Sequence, residues 1–226
     1  MNTWIGAECV VSPLANTASE NFAEIQQGKT AIKLATSIPN YNKELSAALF
    51  SESQTLSFKK DFQSKIEAIS VAAINDSLSR INSKQLGKTL VILSTTKGDI
   101  DQLTCDQYKN ARPTVLCEKI ISSLDIEAES RVISMACISG LSAIIYAHDL
   151  LQAGRFDSVI VIGVDVVSKF TASGFDSFFA LSKEYCKPYD ANRKGLNLGE
   201  AASSVILSKN KELFQEESMI FSGGAS

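Results

Sequence analysis

One stretch, Ser130 to Asp157 (SRVISMACISGLSAIIYAHDLLQAGRFD), restricts the fold of this chain more than any other. Val132, Ile133 and Met135 form a short apolar run of strand type. Cys137 follows at once, and Ile138 opens a helical pattern. Ile138, Leu141 and Ile145 recur at three- and four-residue spacing, and Gly140, Ile144, Ala147 and Leu151 make a second row. Two apolar rows predict a helix buried on most sides. Gly154 ends it. A strand, a tight turn and a buried helix in this order belong to an α/β fold built on a mainly parallel sheet.

The flanking chain repeats the theme. Trp4 to Ser12 reads as a first strand closed by Pro13, with Thr17 and Glu20 as a capping box for the next helix. Thr30 to Ser57 is weakly patterned and reads as a loop excursion. Phe58 to Asn82 reads as one long amphipathic helix, with Phe62, Ile66, Ile69, Ala73 and Leu78 on one side. Leu90 to Ser94 is an apolar run of strand length, and Asp99 to Arg112 reads as polar loop or frayed helix. Pro113 suits a helix start, followed by the stripe Val115, Leu116, Ile120, Ile121 and Leu124. Ser158 to Gly163 (SVIVIG) reads as a fully buried strand, Val166 to Phe179 as a helix, and Lys187 to Asn197 as a polar loop. Glu200 to Ser208 is another strand, and Met219 to Phe221 begins one more.

Composition removes several functions. The 226 residues carry a formal net charge of −3, so no nucleic-acid footprint is expected. No apolar run approaches the ~20 residues of a membrane span, and the N-terminus shows neither a basic nor an apolar leader region. Five cysteines without a CxxC pair, and a single histidine, argue against a disulfide framework and against zinc. No cofactor or metal is expected, and a reducing cytoplasm fits best.

Cys137 has a chemical reason to sit where it does. Free N–H groups and the positive end of the macrodipole surround the first turn of a helix and favour an anion there. Thiolates are the reactive form of cysteine, and the same N–H groups can bind a developing oxyanion. Ser139 and Gly140 leave room for a substrate. On position alone two readings stand: a nucleophile on a strand-turn-helix, or a small buried apolar residue, the commonest fate of a free cysteine. Cys117, inside a helical stripe, reads as core packing.

The motif Met135-Ala136-Cys137-Ile138-Ser139-Gly140 resembles the nucleophile elbow of the β-ketoacyl-acyl-carrier-protein synthases, members of the thiolase fold. The likeness continues through Gly163-Val164-Asp165, Gly174-Phe175 and Ala180-Leu181-Ser182. It ends in Lys187-Pro188-Tyr189-Asp190, Arg193-Lys194-Gly195 and Gly199-Glu200-Ala201-Ala202, in the family's order and spacing. The opening, with Val11-Ser12-Pro13-Leu14 after a strand and a helix ending at Gly28-Lys29, resembles the family's N-terminus and reads as a native start.

The resemblance implies the N-terminal half of a thiolase fold: αβα layers around a five-stranded mixed, mainly parallel sheet whose final strand runs antiparallel. Residues 1–217 would be the nucleophile-bearing domain and 218–226 the cut beginning of a C-terminal half. It implies a 3-oxoacyl-[acyl-carrier-protein] synthase, in which Cys137 is acylated and then condensed with malonyl-carrier protein by decarboxylative Claisen chemistry. Phe175 and Ile138 would meet the acyl chain. Lys59, Lys60 and Lys65 would help dock an acyl carrier protein with its phosphopantetheine-linked acyl group. A homodimer, or a heterodimer with another ketosynthase chain, is expected. A non-catalytic, chain-length-factor-like partner subunit is the alternative, although such partners usually replace the cysteine.

The resemblance also implies two histidines and a lysine in a C-terminal half, and this chain has only His148. His148 lies eleven residues beyond Cys137 on the same predicted helix, roughly 16 Å along its axis. That is beyond the reach a general base needs. The chain is therefore expected either to belong to a longer synthase or to pair with a separate chain. Alone, it is expected to be inactive for condensation, with an apolar patch left open.

Overall fold

Two strands buried on both faces set the centre of the molecule. In the computed structural model, which describes residues 2–59, 62–103 and 108–224, they are TLVILS (Thr89–Ser94) and SVIVIGVD (Ser158–Asp165). Near-continuous β-branched and leucine runs of this kind suit strands covered by helices on both sides. In chain order the elements are β1 (Thr3–Val11), α1 (Ala18–Gln26), β2 (Lys33–Thr36), β3 (Leu45–Ala48), α2 (Glu52–Lys59) and α3 (Lys65–Ser79). Then come β4 (Thr89–Ser94), α4 (Pro113–Ser122), β5 (Glu129–Ile133), α5 (Ser139–Gln152) and β6 (Ser158–Asp165). The last are α6 (Lys169–Ser177), β7 (Leu198–Gly199), β8 (Ala201–Ser208) and β9 (Ser218–Phe221).

The main sheet has six strands in the order β5-β4-β6-β8-β1-β9. β4 pairs in parallel with both β5 and β6, while β8 runs antiparallel to β6 and β1. Four strands thus share one direction, and the five expected from the resemblance are joined by a sixth, β9, antiparallel to β1 at the edge. The period-2 alternation of side chains divides the core in two. Val91 and Leu93 of β4, with Ile160 and Ile162 of β6, face Ile66, Ile69 and Ile74 of α3 and Leu116 and Ile120 of α4. Leu90 and Ile92, with Val159 and Val161, face Ala143, Ala147 and Leu151 of α5. The result is the αβα layering expected.

The sequence reading needs four corrections. The excursion from Thr30 to Ser57 holds β2 and β3, which form a second sheet with β7 in the order β2-β3-β7. The pairing is long-range, Ala47 beside Leu198, so no local pattern announces it. The long helix from Phe58 to Asn82 is instead two, because Ser64 caps α3: its hydroxyl accepts from the Glu67 N–H at 3.4 Å. The helix expected from Val166 starts later, at Lys169, where Ser168 caps it in the same way. Finally, α5 is not buried on most sides. Ile145 and Leu151 are buried, yet Leu141 is 58% exposed, because no other segment of the described chain covers that face. Met135, Ile138 and Leu141 form the open apolar patch that the sequence anticipates.

Candidate active site

The turn between β5 and α5 is sharp. Ala136 adopts φ +50°, a left-handed backbone that a residue with a Cβ rarely takes. Ser139 holds the turn: its hydroxyl accepts from the Met135 N–H at 2.7 Å and donates to the Ala136 carbonyl at 2.7 Å. The Ile138 N–H closes onto the Met135 carbonyl and the Ser139 N–H onto that of Ala136, each at 3.2 Å. Cys137 is thereby raised to the surface, exposed, two residues ahead of the first residue of α5. A strained strand-to-helix turn that exposes its central side chain is the geometry a nucleophile needs.

The carboxyl ends of β4, β5 and β6 meet here, where open α/β sheets bind their ligands. Asp165, the last residue of β6, gathers the loop after β4. Its carboxylate accepts from the Thr95 hydroxyl (3.1 Å), the Thr96 N–H (3.1 Å), the Thr96 hydroxyl (2.8 Å) and the Lys97 ammonium (2.8 Å). That loop touches the Cys137 turn in its own right, since the Ser134 hydroxyl donates to the Thr96 carbonyl at 3.3 Å.

From Thr96 and Lys97 opens a cavity of about 1280 Å³. Ile38, Leu49 and Phe50, from the segments that follow β2 and β3, form one wall, and Phe170 and Phe175 of α6 form another. Phe175, expected beside an acyl chain, lines this space and packs on the core of the small sheet. Ile138 and Cys137 are outside its lining. Ile138, also expected against an acyl chain, caps α5 with its side chain half exposed on the open patch.

A buried ion pair closes the far wall. Glu200 is 2% exposed, and its carboxylate accepts from the Phe50 N–H (3.0 Å), the Val167 N–H (3.2 Å) and the Lys65 ammonium (2.6 Å). Lys65, expected on a docking surface, is therefore turned inward and engaged. Lys60 and the side chain of Lys59, expected beside it, lie outside the described residues. Glu200, Asp165 and Ser139 carry more of the site than the sequence reading assigned them. Their motifs were visible, but the partners of Glu200 and Asp165 are remote in sequence, while those of Ser139 lie within the turn itself.

His148 sits toward the other end of α5. Its Nδ1 shares a hydrogen bond with the Thr3 hydroxyl at 2.9 Å, and its ring packs edge-on against Phe221 with centroids 5.2 Å apart. These contacts give it a packing role between α5 and the strands β1 and β9. Among the described residues no three His, Cys, Asp or Glu side chains gather as a metal site requires. No helix among them is long and apolar enough to cross a membrane.

Cys9 and Cys117, unlike the exposed Cys137, are buried. Burial, and then the Asp76 carboxylate beside it, push the Cys9 thiol up to about 12. Burial likewise pushes Cys117 up to about 11. Both stay protonated in the folded chain above pH 9, where the unfolded chain ionises, so their contribution to stability falls as pH rises through that point. We expect iodoacetamide at pH 8 to label Cys137 in the native chain and to leave Cys9 and Cys117 untouched until the chain unfolds. Peptide mapping by mass checks this, and early labelling of Cys9 or Cys117 would contradict the packing described above.

The Beta-ketoacyl synthase, N-terminal domain model matches residues 78–212. The ketoacyl synthase alpha subunit of the tetracenomycin polyketide synthase of Streptomyces glaucescens is 32% identical over 102 residues, covering 42% of this chain and 24% of that protein. The 3-oxoacyl-[acyl-carrier-protein] synthase 1 of Haemophilus influenzae is 24% identical over 233 residues, 88% of this chain and 56% of that protein. Among solved structures, a ketosynthase from Xenorhabdus doucetiae in complex with its chain length factor superposes with a TM-score of 0.72 at 21% identity, covering 92% of this chain and 58% of that one. A β-ketoacyl synthase from Burkholderia phymatum gives 0.73 at 18% identity, covering 93% and 59%. The chain thus spans from about a quarter to little more than half the length of these relatives.

Proposed function

We propose a function from one premise: this chain belongs to the β-ketoacyl synthase family. It is the nucleophile-bearing part of an acyl-transferring condensing enzyme, with Cys137 as the acyl acceptor. The observation that carries this is the braced turn, where Ala136 at φ +50° and the Ser139 hydroxyl hold an exposed thiol at the amino end of α5. In the step proposed, the Cys137 sulfur attacks the carbonyl carbon of an acyl thioester. A new S–C bond forms, the bond from that carbon to the substrate's own thioester sulfur breaks, and this departing sulfur leaves as a thiol with the proton Cys137 gave up. The amino end of α5 stabilises the oxyanion between these events.

On the same reading, the whole protein acts as a 3-oxoacyl-[acyl-carrier-protein] synthase. A malonyl group on a carrier protein loses carbon dioxide, and the resulting carbanion attacks the acyl carbonyl carbon, forming a C–C bond as the C–S bond to Cys137 breaks and the Cys137 thiol is released. Residues 1–217 form the nucleophile-bearing part, and β9 of the segment 218–226 adds the edge strand to its sheet. Carrier-protein docking falls to the segment of Lys59 and Lys60 rather than to Lys65, whose ammonium is taken by Glu200. The exposed apolar patch of Met135, Ile138 and Leu141 suits a second ketosynthase-type chain. The exposed cysteine speaks for the enzyme rather than for a non-catalytic partner.

Incubating the 226-residue chain with an acyl N-acetylcysteamine thioester tests this. The expected result is one added acyl mass, mapped to Cys137, with no condensation product when a malonyl thioester is supplied. His148 is committed to Thr3 and Phe221 and cannot serve the thiol. Acyl mass on other cysteines, or none at all, sinks the assignment of Cys137. Condensation by the chain alone sinks the claim that it needs further groups.

A further inference from the structure

Lys97 is a singular feature of the cavity. Lysine is among the side chains least often buried, yet this one is only 11% exposed and lines a space whose walls are largely aromatic and aliphatic. Its ammonium lies 2.8 Å from Asp165 and 3.0 Å from the Thr96 hydroxyl. Asp165 does not depend on it. The two Thr hydroxyls and the Thr96 N–H satisfy the same carboxylate, so it stays hydrogen-bonded if the ammonium turns away. The charges on the cavity wall are also unbalanced. Among the described lining residues, Lys65, Lys97 and Lys169 face Glu200, with Asp165 behind Lys97 as the second carboxylate. Glu200 is consumed by Lys65, and Lys169 is exposed at the rim and forms no ion pair with a described residue.

We propose that this cavity selects an acyl group bearing a carboxylate, with its chain along Phe175 and its anionic end on Lys97. The apolar walls favour the chain by burying it. The ammonium supplies a charge-assisted hydrogen bond that a plain alkyl group cannot accept. A neutral acyl group leaves Lys97 on Asp165 and gains nothing from it. The inference rests on the acyl-thioester reading of the site, and it adds a substrate class to that reading.

The test separates the two. Calorimetry on the Cys137→Ala chain compares the monomethyl ester of octanedioic acid, an anion at pH 7.5, with the neutral dimethyl ester. The monoester is expected to bind about tenfold more tightly, the worth of one charge-assisted hydrogen bond after desolvation. Lys97→Met and Lys97→Gln should each erase that preference. The glutamine can still donate to Asp165, so it removes the charge while holding the loop. Lys97→Arg and Lys169→Met should keep it. Equal affinity of the parent chain for the two esters overturns the proposal without any variant, as does a preference that survives Lys97→Gln. Displacement of the monoester by inorganic phosphate at similar concentration overturns it in favour of a phosphate site. Carboxylate preference without acylation of Cys137 in the parent chain keeps this inference and sinks the enzyme reading, and acylation without preference does the reverse.

Discussion

Truncating Glu200 to alanine is expected to lower stability by about 3–5 kcal/mol, the range seen when one partner of a buried ion pair is removed. The side chain ties together three segments. It accepts from Phe50 just after β3, from Val167 in the loop after β6, and it neutralises Lys65 at the start of α3. Alanine leaves two N–H groups without their acceptor and an ammonium, itself 25% exposed, without its counter-charge. For a domain of this size the loss corresponds to roughly a 6–20 °C fall in Tm. The second sheet and the cavity wall that Phe50 and Val167 supply should loosen first. Glu200→Gln should lose less, because its carbonyl oxygen can still satisfy one of the two N–H groups. Adding Lys65→Met to Glu200→Ala should recover part of the loss, since the orphan charge is then gone. Thermal unfolding followed by circular dichroism checks the series. A fall of only a degree or two for Glu200→Ala would show that solvent satisfies these groups.

Glu200 also marks the limit of what the sequence could say. Gly199-Glu200-Ala201-Ala202 stood out as a motif, but the role of the carboxylate depends on Phe50, 150 residues away. The central strands were legible for the opposite reason. β4 and β6 are buried on both faces, so their burial is written in consecutive apolar residues, and β5 with α5 was legible because the apolar period changes from two to 3.6 at Cys137. β2 and β3 carry mixed polarity and are stabilised by β7 across the chain, so their segment looked like a loop. The break between α2 and α3 turned on one serine, Ser64, inside a stretch whose apolar spacing ran on past it. Ile138 and Leu141 show a different limit. Periodicity identified them as an apolar row of α5, yet burial also requires something on the other side, and no described residue covers them. Cys137 itself was the easiest part of the site to find, and what holds it was the hardest.

What holds it is Ser139, and Ser139→Ala is expected to slow acylation of Cys137 by up to about a hundredfold, the cost of a misplacement near 1 Å at a reacting group. A left-handed backbone at Ala136 costs about 1–2 kcal/mol, and the turn keeps that conformation because its neighbours hydrogen-bond only in it. The Ser139 hydroxyl bridges the Met135 N–H and the Ala136 carbonyl from a position only 3% exposed, where water does not readily replace it. Without it the Ala136 carbonyl retains the Ser139 N–H, but the Met135 N–H has no partner. The turn should then relax toward ordinary backbone angles and carry the thiol away from the amino end of α5. Stability should fall by only about 1–2 kcal/mol, the cost of one unsatisfied buried group. A merely structural role would slow every thiol alike, so the partly exposed Cys186 serves as the internal standard. Its alkylation rate should be unchanged while that of Cys137 drops. Ser139→Thr, which keeps the hydroxyl, should restore most of the rate. An acylation rate for Ser139→Ala within a factor of two of the parent chain would mean that α5 and the two backbone hydrogen bonds position the nucleophile unaided.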